Sequence, residues 1–99
     1  MKYEINQEIV FSTAHITNED AEYLADINTS NSKLDDEICG DVYRYGFRIL
    51  AISKEEAPEE SFLSKEFWHL MHITKTLQCK WLVLDQDGLI HDNLEEFDW

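Results

Sequence analysis

Apolar and polar positions along this chain fall into six periodic stretches separated by polar segments. Residues 8 to 14, EIVFSTA, gather β-branched and aromatic side chains into a short run and predict a strand. Thr17 follows, with Asn18, Glu19 and Asp20 after it. A threonine hydroxyl there can accept a free backbone N–H, and acids suit the positive end of a helix. A helix over 18–28 is expected, with Ala21, Leu24, Ala25 and Ile27 or Asn28 along one side. Residues 29–41, TSNSKLDDEICGD, are polar and carry Gly40 near their end, which reads as a loop.

The clearest strand pattern is VYRYGFRILAIS, 42–53. A two-residue period sends Tyr43, Tyr45, Phe47 and Ile49 to one face and Arg44, Gly46 and Arg48 to the other. Gly46 within it marks either a bulge or the close approach of another backbone. Pro58, Glu59 and Glu60 then suit the first turn of a helix over 59–78. Its buried stripe is Leu63, Phe67, Leu70, Met71, Thr74 and Leu77, with Trp68 at the border. A strand over 81–85 and a short one over 89–91 follow, and the chain closes on an acidic tail, Glu95 to Trp99. The order β-α-β-α-β-β predicts one α+β domain over 1–99. Its two layers would be a mostly antiparallel sheet of three or four strands and two helices.

Ninety-nine residues with 43% apolar composition suffice for one modest core. The charge changes the picture more. Eight basic residues face twenty-one acidic ones, a formal net charge of −13. Phosphate contacts need a basic patch, so direct nucleic-acid binding and anionic membrane surfaces are both disfavoured. What remains is a basic protein partner, or no charged partner at all and a charge that only keeps the chain soluble. The opening MKYEINQEIV has no apolar core of a signal peptide, and no window reaches a membrane span. Cys39 and Cys79 match no metal-binding spacing and need no disulfide. A cytoplasmic protein is expected.

The stretch with candidate chemistry is WLVLDQDG, where an apolar strand delivers Asp85, Asp87 and Gly88. Asp-x-Asp-Gly after a strand resembles the first motif of haloacid-dehalogenase-like phosphotransferases, in which the first carboxylate attacks phosphorus. Leu89 stands where that motif has threonine, and too little chain follows for the remaining body. A calcium loop fails because Gly88 comes too early and a strand leads in. Asp-Gly between apolar runs instead predicts a hairpin turn. His69 and His72, three apart on one helix, can face one site, but a solvated polar face is the simpler reading. No cofactor motif occurs.

FSTAHIT (11–17), Tyr45-Gly46, CKWLVLDQDG (79–88) and the closing Asp98-Trp99 resemble a family of small uncharacterised bacterial proteins carried on plasmids, phages and conjugative elements. The resemblance spans nearly the whole chain and implies no activity. Trp99 is expected to fold back onto the domain, the other reading being an acidic-aromatic tail, Phe97 and Trp99, that docks a partner.

Two functional expectations follow. The first is a non-enzymatic acidic interaction module of a mobile element, in one form a DNA-mimicking, counter-defence inhibitor of a basic nucleic-acid-binding protein. Its surface would be Glu19, Asp20, Glu22 and Asp26; Asp35, Asp36, Glu37 and Asp41; and Glu55, Glu56, Glu59 and Glu60. The second is a small metal-dependent hydrolase built from His15, Asp85, Asp87 and His91. An exposed strand over 8–14 also offers an edge for a homodimer.

Overall fold

A computed structural model of the chain describes residues 2–27, 38–51 and 62–99. Four strands form one sheet: β1 (Glu8–Ser12), β2 (Gly40–Tyr43), β3 (Gly46–Leu50) and β4 (Trp81–Asp85). Their spatial order is β1-β4-β3-β2. β1 runs parallel to β4, and the other two pairings are antiparallel. Helix α1 (Asn18–Ala25) and helix α2 (Lys65–Thr76) complete the α+β fold. A 3-10 turn, Thr13–His15, takes the end of the stretch expected to continue β1.

Two expectations about strands are corrected. Residues 42–53 do not form one strand. They contribute to a hairpin in which Arg44 and Tyr45 turn the chain between β2 and β3. The turn also reverses which side Tyr43 takes. Val42 pairs with Phe47, but Tyr43 pairs with Gly46, so Tyr43 leaves the Phe47–Ile49 face. The second correction concerns 89–91, where no strand forms. β4 already has β1 on one edge and β3 on the other, so neither edge is open to a hairpin partner.

Gly46 meets the close-approach reading. A Cβ there would lie 1.7 Å from the Leu84 carbonyl oxygen, so only glycine lets β3 close on β4. On the strand face that carries Arg48, its guanidinium sits 3.8 Å from the centre of the Trp81 ring, and Glu8 lies 3.6 Å from its Nε.

The core lies between the sheet and the helices. Phe11, Ile49, Leu82 and Leu84 from the strands meet Leu24 of α1 and Phe67, Trp68, Leu70 and Met71 of α2. The expected α2 stripe is buried from Leu63 to Thr74, and the Thr74 hydroxyl is satisfied by the Leu70 carbonyl at 2.8 Å. Leu77 departs from it. It is the C-cap residue, past the last packed turn, and is exposed. α2 is capped by Ser64 rather than entered at Pro58, which lies outside the described residues together with 59–61. α1 ends three residues before its expected limit, and most of the expected 29–41 loop, 29–37, also lies outside the described residues.

Asp20 joins the two helices. Thr17 and Asp20 form a reciprocal capping box: the Thr17 hydroxyl accepts from the Asp20 N–H at 3.0 Å, and the Asp20 carboxylate accepts from the Thr17 N–H at 3.1 Å. The same carboxylate accepts from the Ser64 N–H at 2.7 Å and from the Ser64 hydroxyl at 2.5 Å. The Ser64 oxygen in turn accepts from the Phe67 N–H, closing the first turn of α2. One carboxylate, 1% exposed, thus serves the positive ends of both helices. Replacing it leaves buried donors unpaired at two caps. Asp20→Ala is expected to lower unfolding stability by about 3 kcal/mol, measured by urea denaturation with an unchanged m-value.

Candidate functional site

Because β1 and β4 are parallel neighbours, their carboxyl ends reach the same end of the sheet, with Ser12 opposite Asp85. This is the end at which open sheets with parallel strands bind ligands. Both stretches that carried the candidate chemistry arrive here.

On the β1 side, the Ser12 hydroxyl accepts from the Ala14 N–H at 3.1 Å and starts the 3-10 turn. The turn swings the His15 ring inward, where it is 1% exposed. Nδ1 lies 2.7 Å from the Glu95 carbonyl oxygen, which can only accept, so Nδ1 carries the proton. Nε2 accepts from the backbone N–H of His91 at 3.0 Å. The two partners together select the neutral Nδ1–H tautomer and occupy both nitrogens. The His15 and His91 rings stack with centroids 6.0 Å apart, and Phe11 presents an edge to each.

The C-terminal tail is bound along the same segment. The Phe97 N–H donates to the Ala14 carbonyl at 2.7 Å, and the Trp99 indole N–H donates to the Ile16 carbonyl at 2.9 Å. Leu94 packs against the core. Trp99 folds back as expected, yet its anchor is the indole N–H more than ring burial, for the residue remains 54% exposed.

On the β4 side, Asp85 closes a turn. Its carboxylate accepts from the Asp87 N–H at 2.8 Å, and its carbonyl accepts from the Gly88 N–H at 2.9 Å. The expected turn is present, but it is not a hairpin. It carries the chain across the end of β1, where the Leu89 carbonyl accepts from the Ser12 N–H at 3.3 Å. Gly88 permits the crossing: a Cβ there would lie 2.8 Å from Phe11 and Ser12 backbone atoms.

The second Asp85 oxygen accepts from the Tyr43 hydroxyl at 2.6 Å. β3 lies between these two residues, and the position between them in register is Gly46. A residue without a side chain leaves the lane through which the Tyr43 ring reaches Asp85. The hydrogen bond from Tyr43, then that from the Asp87 N–H, holds the Asp85 carboxyl below its ordinary value. Burial, then the hydrogen bond to Asp85 and that carboxylate's charge, pushes the Tyr43 phenol well above its own.

Residues 8–99 match the family described as "Family of unknown function (DUF5983) C-terminal domain". The chain belongs to this family. No curated protein and no solved structure matches it. The stretches FSTAHIT and CKWLVLDQDG both fall inside the DUF5983 match.

The remaining candidate residues of this DUF5983 chain separate cleanly. Asp20 is a correction: buried at the two helix caps, it cannot belong to an acidic surface. Glu19, Glu22 and Asp26 are exposed. At about 100° per residue Glu19 and Glu22 fall on one side of α1, and Asp26 is its C-cap residue. Asp41 is exposed on edge strand β2. Asp35, Asp36, Glu37, Glu55, Glu56, Glu59 and Glu60 lie outside the described residues. His69 and His72 are exposed on α2. His69 lines a cleft of about 480 Å³ between α2 and the tail, with His15, Lys65, Glu66, Asn93 and Glu95. Among the described residues, no three His, Cys, Asp or Glu side chains are grouped to hold a metal ion. Of the four proposed hydrolase residues, His15 and His91 stack, while Asp85 and Asp87 share a turn.

Two measurements probe this end of the sheet. His15→Ala is expected to cost about 3 kcal/mol and to speed amide exchange at His91 and Phe97, read by hydrogen exchange. Asp85 contributes stability at neutral pH that is lost as pH falls below about 4. Tyr43 contributes stability that is present below about pH 10 and lost as pH climbs toward its raised value. Tyr43→Phe is expected to abolish the latest-titrating phenol in an alkaline absorbance titration. It should also move the Asp85 carboxyl up toward its ordinary value, followed by NMR.

Proposed function

We propose that this chain is a non-enzymatic acidic interaction module that acts in the cytoplasm on behalf of a mobile genetic element. Its partner is a basic nucleic-acid-binding protein, whose nucleic-acid site it occupies as a counter-defence inhibitor. The observation that carries the reading is the exposed pair Glu19 and Glu22 on one side of α1, with exposed Asp26 at its C-cap, in a chain of net charge −13. Along the helix axis the backbone positions of Glu19 and Glu22 are about 4.5 Å apart. One strand of duplex DNA presents a phosphate about every 3.4 Å of axis. The spacing is of the same order, so a groove built for phosphates meets comparable charge.

The residues that suggested catalysis support this reading by their engagement. Both His15 nitrogens are taken by backbone groups, and both Asp85 oxygens accept hydrogen bonds. The mobile-element setting rests on the resemblance of FSTAHIT and CKWLVLDQDG. Among the described residues no helix is long and apolar enough to cross a membrane.

The test is affinity capture from the host lysate at low ionic strength, with elution by a salt gradient. The expected result is a basic nucleic-acid-binding protein, released at moderate salt and displaced by duplex DNA. The double variant Glu19→Lys/Glu22→Lys should bind that protein at least about tenfold more weakly. Capture of no specific protein, or of one whose retention ignores both salt and the double variant, would overturn the proposal.

A further inference from the structure

We infer that residues 2–8 form an interaction surface for a second copy of this chain, the two segments pairing antiparallel about a two-fold axis at Ile5. The starting observation is an apolar alternation that outruns the core. Ile9 and Phe11 pack into or against the core. Tyr3 and Ile5 continue the same two-residue period toward the N-terminus, yet they are 79% and 85% exposed. An alternating pattern with one apolar side needs something to cover that side.

The backbone offers the matching edge. β1 is the end strand of the described sheet. The Gln7 carbonyl accepts from the Lys80 and Trp81 N–H groups, so Gln7 faces β4. Alternation then turns the N–H and C=O groups of Glu8 and Val10 to the outer side. Farther along, the Ser12 N–H is taken by the Leu89 carbonyl. Among the described residues the open edge therefore runs from Val10 back into residues 2–8, and an open edge is a template for another strand.

The sequence then selects the register. For the apolar sides of two copies to lie on the same face, the axis must pass through a residue. An axis at Glu4, Asn6 or Glu8 sets two glutamates directly opposite each other, which is destabilising. An axis at Gln7 drives Lys2 and Tyr3 of one copy against the edge at Phe11 and Ser12, where Leu89 already sits. An axis at Ile5 sets Ile5 against itself and Lys2 against Glu8 of the second copy. An axis at Tyr3 also sets Lys2 against Glu4 but pairs only residues 2–4 of those described, whereas the Ile5 register brings opposite charges together across residues 2–8 and buries the most exposed apolar residue.

Such a pairing is far smaller than a standard interface, so the dimer is weak and depends on concentration. Each copy carries −13, and salt screens their mutual repulsion. Self-association should therefore strengthen as salt rises, the opposite of binding to a basic partner, so the two proposals fail separately.

The test is sedimentation equilibrium of the full chain over a wide concentration range at low and high salt. The average mass is expected to rise from one chain toward two, more readily at high salt. Ile5→Lys should hold it at one chain without shifting the thermal midpoint, because Ile5 is exposed. In a Cys39→Ser/Cys79→Ser background, Ile5→Cys should cross-link to itself on mild oxidation while Gln7→Cys does not. A single-chain mass throughout, a dimer that survives Ile5→Lys, or cross-linking through position 7 and not 5 would overturn the inference.

Discussion

The arrangement of this fold rests on one buried carboxylate. A helix end has backbone N–H groups with no partner inside the helix, and burying them unpaired is costly. Asp20 meets that demand for α1 through Thr17 and for α2 through Ser64. Because one side chain does both, the two N-termini are drawn together. That convergence positions Leu24 and Phe67 over the same sheet face, where both are fully buried. The charge is acceptable there because it accepts several hydrogen bonds and lies at two positive helix ends. A surface carboxylate at this position would have left the helices free to find separate packings.

The opposite task, holding the end of the sheet, falls to residues that look like chemistry. β4 is central, so its continuation has no edge to pair with and crosses over β1 instead. A crossing segment and a tail without regular structure need partners for their backbone groups. His15 supplies one acceptor and one donor in a single buried ring, for His91 and Glu95 respectively. Asp85 supplies two acceptor oxygens, one for its own turn and one for Tyr43. Ser, His and paired Asp residues at strand ends are the vocabulary of catalysis and also of irregular backbone that must be satisfied. Here the second use accounts for the backbone hydrogen bonds of Ser12, His15 and one Asp85 oxygen.

Local signals in the sequence were legible, and long-range ones were not. The Thr17 cap, the α2 stripe and the 81–85 strand each depend on residues within a few positions, and each is present. Asp20 was read only as an acid suiting the positive end of α1; its reciprocal bond to Thr17 and its reach to Ser64, forty-four residues away, came from the structure. The hairpin at Arg44 and Tyr45 was hidden because it lacks Gly, Asn or Asp at its turn and interrupts an apolar alternation without breaking it. The expected hairpin at Asp87-Gly88 failed for the converse reason. Turn chemistry was correct there, but pairing depends on which strands already flank β4, and that is a property of the whole sheet.

If the recognisable motifs serve the fold, the feature left to select among partners is charge. An acidic protein approaches a basic one faster and is repelled by its own copies, and both effects weaken with salt. Under the two proposals, the exposed carboxylates of α1 and the apolar residues 3 and 5 would respond to ionic strength in opposite senses. At low salt, repulsion would keep the chain single and leave its acidic side most attractive to a basic surface. At high salt, the same screening would let the apolar alternation of residues 2–8 find its cover. Net charge would then select between the two contacts, on a shape that Asp20, His15 and Asp85 hold through their hydrogen bonds.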